Sequence, residues 1–186
     1  MAEPHKHWRR LTANEIAAAK KIFSDGICYE KVKIYRGFPC LPDLGMAIAP
    51  FGHIHFPKQH CPPDFMLADG GYQMWLIHEL THVWQFQNGF QAWFGGFILA
   101  LCGGYHRQKA YAYPPLADIT ELGRLNMEQQ ADLVSHYYAA SCLPNSVRTK
   151  HLAAFQTALK DFLDNPKQKK LLPKYFRLNF QKQPKR

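Results

Sequence analysis

The chain has 186 residues, 47% of them hydrophobic and 20% charged, and a formal net charge of +9. That balance fits one globular domain and excludes wholesale disorder and a fibrous repeat. The longest apolar run, Phe90 to Gly104, is broken by Gly95 and Gly96 and falls short of the ~18–20 residues that span a bilayer.

The N-terminus, Met-Ala-Glu-Pro-His-Lys-His-Trp-Arg-Arg, has no apolar stretch behind its basic residues, so no secretory signal is expected and synthesis in the cytoplasm is. Thr12-x-x-Glu15 is a capping box, and the Ala-rich stretch after it predicts a helix from Ala13 to about Phe23, ended near Gly26. Lys31 to Tyr35 alternates polar and apolar residues, the pattern of a half-buried strand. Met46–Ala49 and His53–Phe56 are two further β-prone runs, and Pro50-Phe51-Gly52 between them is a hairpin signal. Cys61-Pro62-Pro63-Asp64 reads as loop.

A strong helix is expected from about Gly71 to Gln87, with Met74, Ile77, Leu80 and Trp84 on its buried face and Asn88-Gly89 as the stop. Phe90 to Leu101 reads as a second buried segment, followed by a Tyr-rich loop up to Pro114-Pro115. Asn126 as N-cap, with Gln129 at the third helical position, predicts a helix from Met127 to about Ala140. A last helix is expected from about Val147 to Leu163, stopping before Pro166. Helix, short strands and then helices make an α+β domain. Residues 1–166 form that single domain in this reading, with a small mixed or antiparallel sheet, and 167–186 form a basic C-terminal tail.

The tail carries Lys167, Lys169, Lys170, Lys174, Arg177, Lys182, Lys185 and Arg186 and no acid, so these eight cations account for most of the +9. Such a run is either a solvated end or a contact for an anionic partner. Leu171, Leu172, Tyr175 and Phe176 interleave with the charges and point to partial packing on the body. The five cysteines, at 28, 40, 61, 102 and 142, are widely spaced with no Cys-x-x-Cys pair, which argues against a zinc ribbon or disulfide framework. Free thiols are expected, with a Cys40–Cys61 bridge as the open alternative.

The chemistry sits in His78-Glu79-Leu80-Thr81-His82. On a helix, positions i and i+4 share a face, so both imidazoles can reach one Zn²⁺ at ~2.0–2.1 Å. Glu79 then stands beside the metal and can take a proton from a water held there. Glu128 and Asp132 form a second i, i+4 pair downstream. Glu128 would complete a His₂Glu set with one side left open, and Asp132 would accept the remaining ring N–H of a ligand histidine. His53 and His55, on one face of a strand, are a competing metal pair or else the rim of a cleft where an extended substrate adds as a strand. His136 lies two turns beyond Glu128 and can reach the site. Tyr113, like Tyr111, Tyr137 and Tyr138, is a candidate donor to the oxyanion of a tetrahedral intermediate.

The string His78-Glu79-Leu80-Thr81-His82-Val83-Trp84-Gln85, together with Glu128-Gln129-Gln130-Ala131-Asp132, resembles the gluzincin branch of the zincin-like zinc metallopeptidases. More narrowly it is similar to small bacterial domains found beside contractile-injection and type VI secretion spike proteins and Rhs-type toxins. The likeness runs from about Leu11 to Ala140 and includes Gly52-His53-Ile54-His55-Phe56-Pro57 as a rim strand. It implies a zincin-like fold, Zn²⁺ held by His78, His82 and Glu128, Glu79 as general base, and Asp132 behind the ligands. It also implies a secretion spike or an immunity protein as partner, and export by a contractile system. The segment between His82 and Glu128 departs from the best-known gluzincins in its length and its apolar insert.

The expected function is a zinc-dependent peptidase acting on a protein or on the peptide stem of peptidoglycan. His136, Tyr113 and His55 are its candidate substrate contacts. The alternative is a secretion-linked adaptor or chaperone with a closed structural metal. Nucleic-acid binding through the tail has only charge behind it, with no accompanying motif.

Overall fold

A computed structural model describes residues 7–38, 45–91 and 111–174. Helix α1 (Ala13–Phe23) begins at Thr12, whose hydroxyl accepts from the Glu15 amide while the Glu15 carboxylate accepts from the Thr12 amide. The expected capping box is thus present, and it closes two donors that a helix start otherwise leaves unmet. Ala18, Ala19, Ile22 and Phe23 form the buried face.

Three strands form a mixed sheet in the order β1 (Trp8–Arg10), β2 (Lys33–Arg36), β3 (Ile54–Phe56). β1 runs antiparallel to β2, and β2 parallel to β3. β1 was not legible in the sequence, because its inward residue is Arg9, a charge. That guanidinium makes two bonds of 2.8 and 2.7 Å to the Glu15 carboxylate, which is fully buried and also accepts from the Phe65 amide. β2 begins two residues later than the alternation indicated, since Tyr29–Lys31 coil into a 3-10 turn.

The expected hairpin around Pro50-Phe51-Gly52 is reduced to a single bridge, Ile48 to His55, closed by bonds of 3.1 and 2.9 Å. The chain does reverse at Gly52 (φ +74°), where a Cβ would lie 2.8 Å from the Phe86 ring. Beyond the bridge, Ile54 and Phe56 are buried in the core and β3 takes β2 as its ladder partner. Burial of the β3 side chains decides the pairing, and the local turn does not.

Helix α2 (Gly70–Gln87) is capped by Asp69, whose carboxylate accepts from the Gly71 and Tyr72 amides. Leu76, Ile77, Leu80, Val83 and Trp84 are all fully buried, so this helix is the central element of the fold. Helix α3 (Met127–Cys142) starts from the expected Asn126–Gln129 capping box and packs along α2. The single C-terminal helix expected from Val147 is instead a 3-10 turn at Thr149–His151 followed by α4 (Leu152–Ala158) and α5 (Lys160–Asp164). Val147 is exposed, and the Ser146 carbonyl and hydroxyl hold the amides of Thr149 and Arg148 in a tight turn, which delays the start of the helix.

Phe162 of α5 meets the rings of Trp84 and Phe23 edge-on, at 5.0 and 5.9 Å between centroids. The Trp84 indole donates to the Pro166 carbonyl at 2.8 Å. Past that point Leu171 is buried, and exposed Lys167 and Lys170 pair with Asp25 and Asp161. Residues 167–174 therefore lie against the body; 175–186 fall outside the described residues, as do 92–101 of the apolar segment. Cys28, Cys61 and Cys142 are free thiols, while Cys40 and Cys102 lie outside the described residues. Among the described residues no helix is long and apolar enough to cross a membrane. The whole is one small α+β domain.

Removing one partner of a buried, hydrogen-bonded ion pair strands the other charge. Glu15→Ala is therefore expected to lower the unfolding free energy by about 3 kcal/mol, read as a drop in the urea midpoint. A midpoint within experimental error of wild type would show that the Arg9–Glu15 pair does not tie β1 to α1.

Candidate metal centre

Helix periodicity sets His78 and His82 one turn apart on α2, and Glu128 and Asp132 one turn apart on the first half of α3. Because α3 lies along α2, the two pairs face each other. The His78 Nε2 is 3.2 Å from Glu128 Oε2, the His82 Nε2 is 3.3 Å from the same oxygen, and the two Nε2 atoms are 3.3 Å apart. Ligands placed tetrahedrally at ~2.0–2.1 Å around Zn²⁺ are about 3.3 Å from one another. The three atoms thus already stand at the edges of such a coordination shell.

The hydrogen bonds behind the imidazoles settle which nitrogen is free. The His78 Nδ1 lies 2.9 Å from Asp132 Oδ1, a carboxylate that accepts its proton. The His82 Nδ1 lies 2.9 Å from Gln85 Oε1. Gln85 Nε2 donates to the Met127 carbonyl and to Gln130 Oε1, both at 3.1 Å, so only its oxygen is left for His82. Gln130 Nε2 in turn donates to the carbonyls of Leu122 (2.8 Å) and Leu171 (2.9 Å). Both histidines therefore carry hydrogen on Nδ1 and turn an Nε2 lone pair toward Glu128. Two lone pairs and a carboxylate oxygen converging at such distances repel one another unless a positive charge sits among them.

The titration behaviour reports the same demand. Where no metal is bound a proton supplies that charge: burial alone would push His78 down, but its bonds to Asp132 and Glu128 outweigh this and hold its imidazolium form up to about 10, the added hydrogen lying on Nε2 toward Glu128. Burial would likewise raise Glu128, and the attraction of His82 with the bonds to both imidazoles holds it far below the ordinary carboxylate range. Glu79 is buried and its carboxyl is pushed up by that burial, against the pull of His78 and His82. The Trp75 side chain bonds its carboxylate, and Oε2 has no hydrogen-bond partner among the described residues. An orphaned carboxylate oxygen beside three convergent donors fits a site that holds a cation and a small polar ligand. Among the described residues, His78, His82 and Glu128 are the group able to hold a metal.

These residues form the floor of a cleft of about 690 Å³. Its walls are the 45–50 segment on one side and Met127, Asp132, Ser135 and His136 on the other, with Met74, Trp75 and Tyr111 completing it. His136 is in the lining, but both of its nitrogens are engaged, Nδ1 with the Tyr113 hydroxyl (2.7 Å) and Nε2 with Arg148 (3.0 Å). The Tyr111 ring is 6.1 Å from that of His78, and burial raises its phenol. Tyr138 is tied to Gln73 at 2.7 Å, and Tyr137 is core.

His53 and His55 stand apart from the metal group. His55 stacks on Tyr35 at 4.4 Å, and neither histidine lines the cleft, because the 45–50 segment bridges to β3 on its cleft side. The rim next to the cleft is that segment, with β3 one position behind it. Sequence reasoning missed Gln85, Gln130 and Trp75. Gln85 carried a signal, three residues after His82 on one helix face; Gln130 became visible only when the two helices met.

No family model matches the chain. Over 139 residues, 70% of its length, it is 34% identical to the type VI secretion system spike protein VgrG2b of Pseudomonas aeruginosa. It spans 13% of the length of that relative. The effector domain of Pseudomonas aeruginosa VgrG2b superposes with a TM-score of 0.67 and 28% identity, covering 86% of each chain. Likeness in sequence and in fold together show homology to the effector domain of a type VI secretion spike protein.

Proposed function

We propose that this chain is a zinc-dependent peptidase that serves as an effector delivered by a type VI secretion system. One observation carries the reading: two imidazole nitrogens and a carboxylate oxygen stand 3.2–3.3 Å apart with an open cleft above them. His78, His82 and Glu128 would hold the metal, and an N₂O donor set favours zinc over the hard oxygen-seeking cations. A bound zinc ion would supply Lewis acidity, lowering the pKa of water and polarising a carbonyl.

The chain's own residues do the rest. Asp132 and Gln85 keep the imidazole lone pairs aimed inward. Glu79 accepts a proton from the attacking water and hands it to the amine as the C–N bond breaks, leaving a carboxylate and an amine. Its burial and its unpartnered Oε2 suit it to hold that proton in transit. Ile48 spends its amide and carbonyl on His55, so the backbone groups of Ala47 and Ala49 point the other way, to the cleft side. An extended peptide can add along that edge. Three convergent ligands with the cleft on the fourth side favour a catalytic centre over a closed structural one. The substrate is the amide of a protein or of a peptidoglycan stem. The likeness to a spike-borne effector domain supports delivery, with the spike as partner.

Purified chain is expected to hold one zinc per molecule by mass spectrometry of the metal content, and His78→Ala or Glu128→Ala to lose it. Gln85→Leu, which removes the acceptor behind His82, is expected to weaken zinc affinity by roughly 10–100-fold in a chelator competition. An unchanged affinity would show that Gln85 does not orient the ligand. Glu79→Gln is expected to keep the zinc and lower peptide hydrolysis by roughly 10²–10⁴-fold. Wild-type turnover by that variant would remove Glu79 from the mechanism.

A further inference from the structure

We infer that Arg148 is a positioning residue: it fixes the tautomer of His136 and so turns the hydroxyl hydrogen of Tyr113 out toward the cleft, for donation to a carbonyl or carboxylate oxygen of a bound peptide. The second half rests on the peptidase reading; the first stands on hydrogen-bond logic alone.

Arg148 lies past the end of α3, on the turn where Asn145 takes a left-handed conformation (φ 57°) and the Ser146 hydroxyl accepts the Arg148 amide at 3.2 Å. The turn brings the guanidinium back against α3, where one terminal nitrogen is 3.0 Å from the His136 Nε2. A guanidinium has donors and no acceptor, so Nε2 must accept. A neutral imidazole that accepts on Nε2 carries its hydrogen on Nδ1. That hydrogen meets the Tyr113 oxygen 2.7 Å away, and the oxygen accepts it. The phenolic hydrogen cannot then point at His136 and is left for another acceptor.

The surrounding charges keep this arrangement in one state. Burial and the Arg148 charge hold His136 down at about 4, against the pull of Asp132, with His78 adding to the depression. Burial lifts the Tyr113 phenol to about 12; Arg148 opposes this and Asp132 reinforces it. The histidine thus stays neutral and the tyrosine keeps its hydrogen across the physiological range. Tyr113 stands behind His136 and is not itself in the cleft lining, but the charge of Asp132, which does line the cleft, acts on its phenol and draws the freed O–H toward that side. His136, though in the lining, has no nitrogen left to offer a substrate. The donor is the tyrosine behind it.

The test uses the full chain labelled with ¹⁵N and reads the His136 ring nitrogens, assigned with His136→Asn. Wild type is expected to show hydrogen on Nδ1 and a bare Nε2. Arg148→Gln is expected to mix the two tautomers, and Arg148→Lys, again a pure donor, to restore the first. An Nε2–H form in wild type, or unchanged signals in Arg148→Gln, would overturn the inference. With zinc-loaded chain and a fluorogenic peptide, Tyr113→Phe is expected to lower kcat about 10²-fold at constant KM. Arg148→Gln should lower kcat in wild type and have no further effect in Tyr113→Phe; a full additional loss there would place its action elsewhere. If zinc-loaded wild type cleaves no peptide, the peptidase reading fails and the role of the Tyr113 hydrogen with it, whereas the tautomer claim still stands or falls on the spectra.

Discussion

Two imidazole lone pairs and a carboxylate oxygen are forced together between α2 and α3, and most of the surrounding structure exists to keep them there. Without a positive charge among them, a metal ion or a proton, they would repel at 3.2–3.3 Å in a buried site and separate. The packing of α3 along α2 opposes that separation, and so does a chain of amides. Gln85 holds His82, Gln130 holds Gln85, and the carbonyls of Leu122 and Leu171 hold Gln130. Every hydrogen of the two carboxamide nitrogens in that chain has an acceptor. Such a network is rigid because each member has one way to be satisfied.

This arrangement links the site to a distant part of the sequence. Leu171 belongs to the stretch that composition marks as a charged tail, yet its carbonyl ends the chain of amides behind His82 and its side chain is buried. The basic residues around it make exposed pairs, which contribute little to stability individually. The anchoring comes instead from Leu171, from the Trp84 bond to Pro166, and from the three rings of Phe23, Trp84 and Phe162. The start of the basic stretch is thus part of the support of the proposed metal centre.

The cleft follows from the same constraint. α2 supplies its floor, α3 one wall, and the 45–50 segment, clipped to β3 by a single bridge, the other. With Ile48 bonded to His55, the backbone groups of Ala47 and Ala49 face the cleft side, the orientation that strand addition by a peptide would require. His136, Tyr113 and Arg148 stand on the opposite side, where the turn after α3 folds back.

The sequence alone determined α1, α2 and α3 nearly to the residue, because each carries local signals of its own: the Thr12–Glu15 box before α1, the apolar face of α2 with its Asn88-Gly89 stop, and the Asn126–Gln129 box before α3. The two i, i+4 motifs were legible for the same reason, since helical spacing places their side chains without help from distant residues. What depends on contacts between remote segments was not. β1 hides behind the inward charge of Arg9, whose partner Glu15 is on another element. The hairpin at Gly52 yielded to the burial of Ile54 and Phe56 and to pairing with β2. The exclusion of His55 from the cleft, and the roles of Gln130 and Arg148, were decided only when α2, α3 and the C-terminal turns packed, because a hydrogen bond between residues far apart in the chain leaves no periodic trace in either.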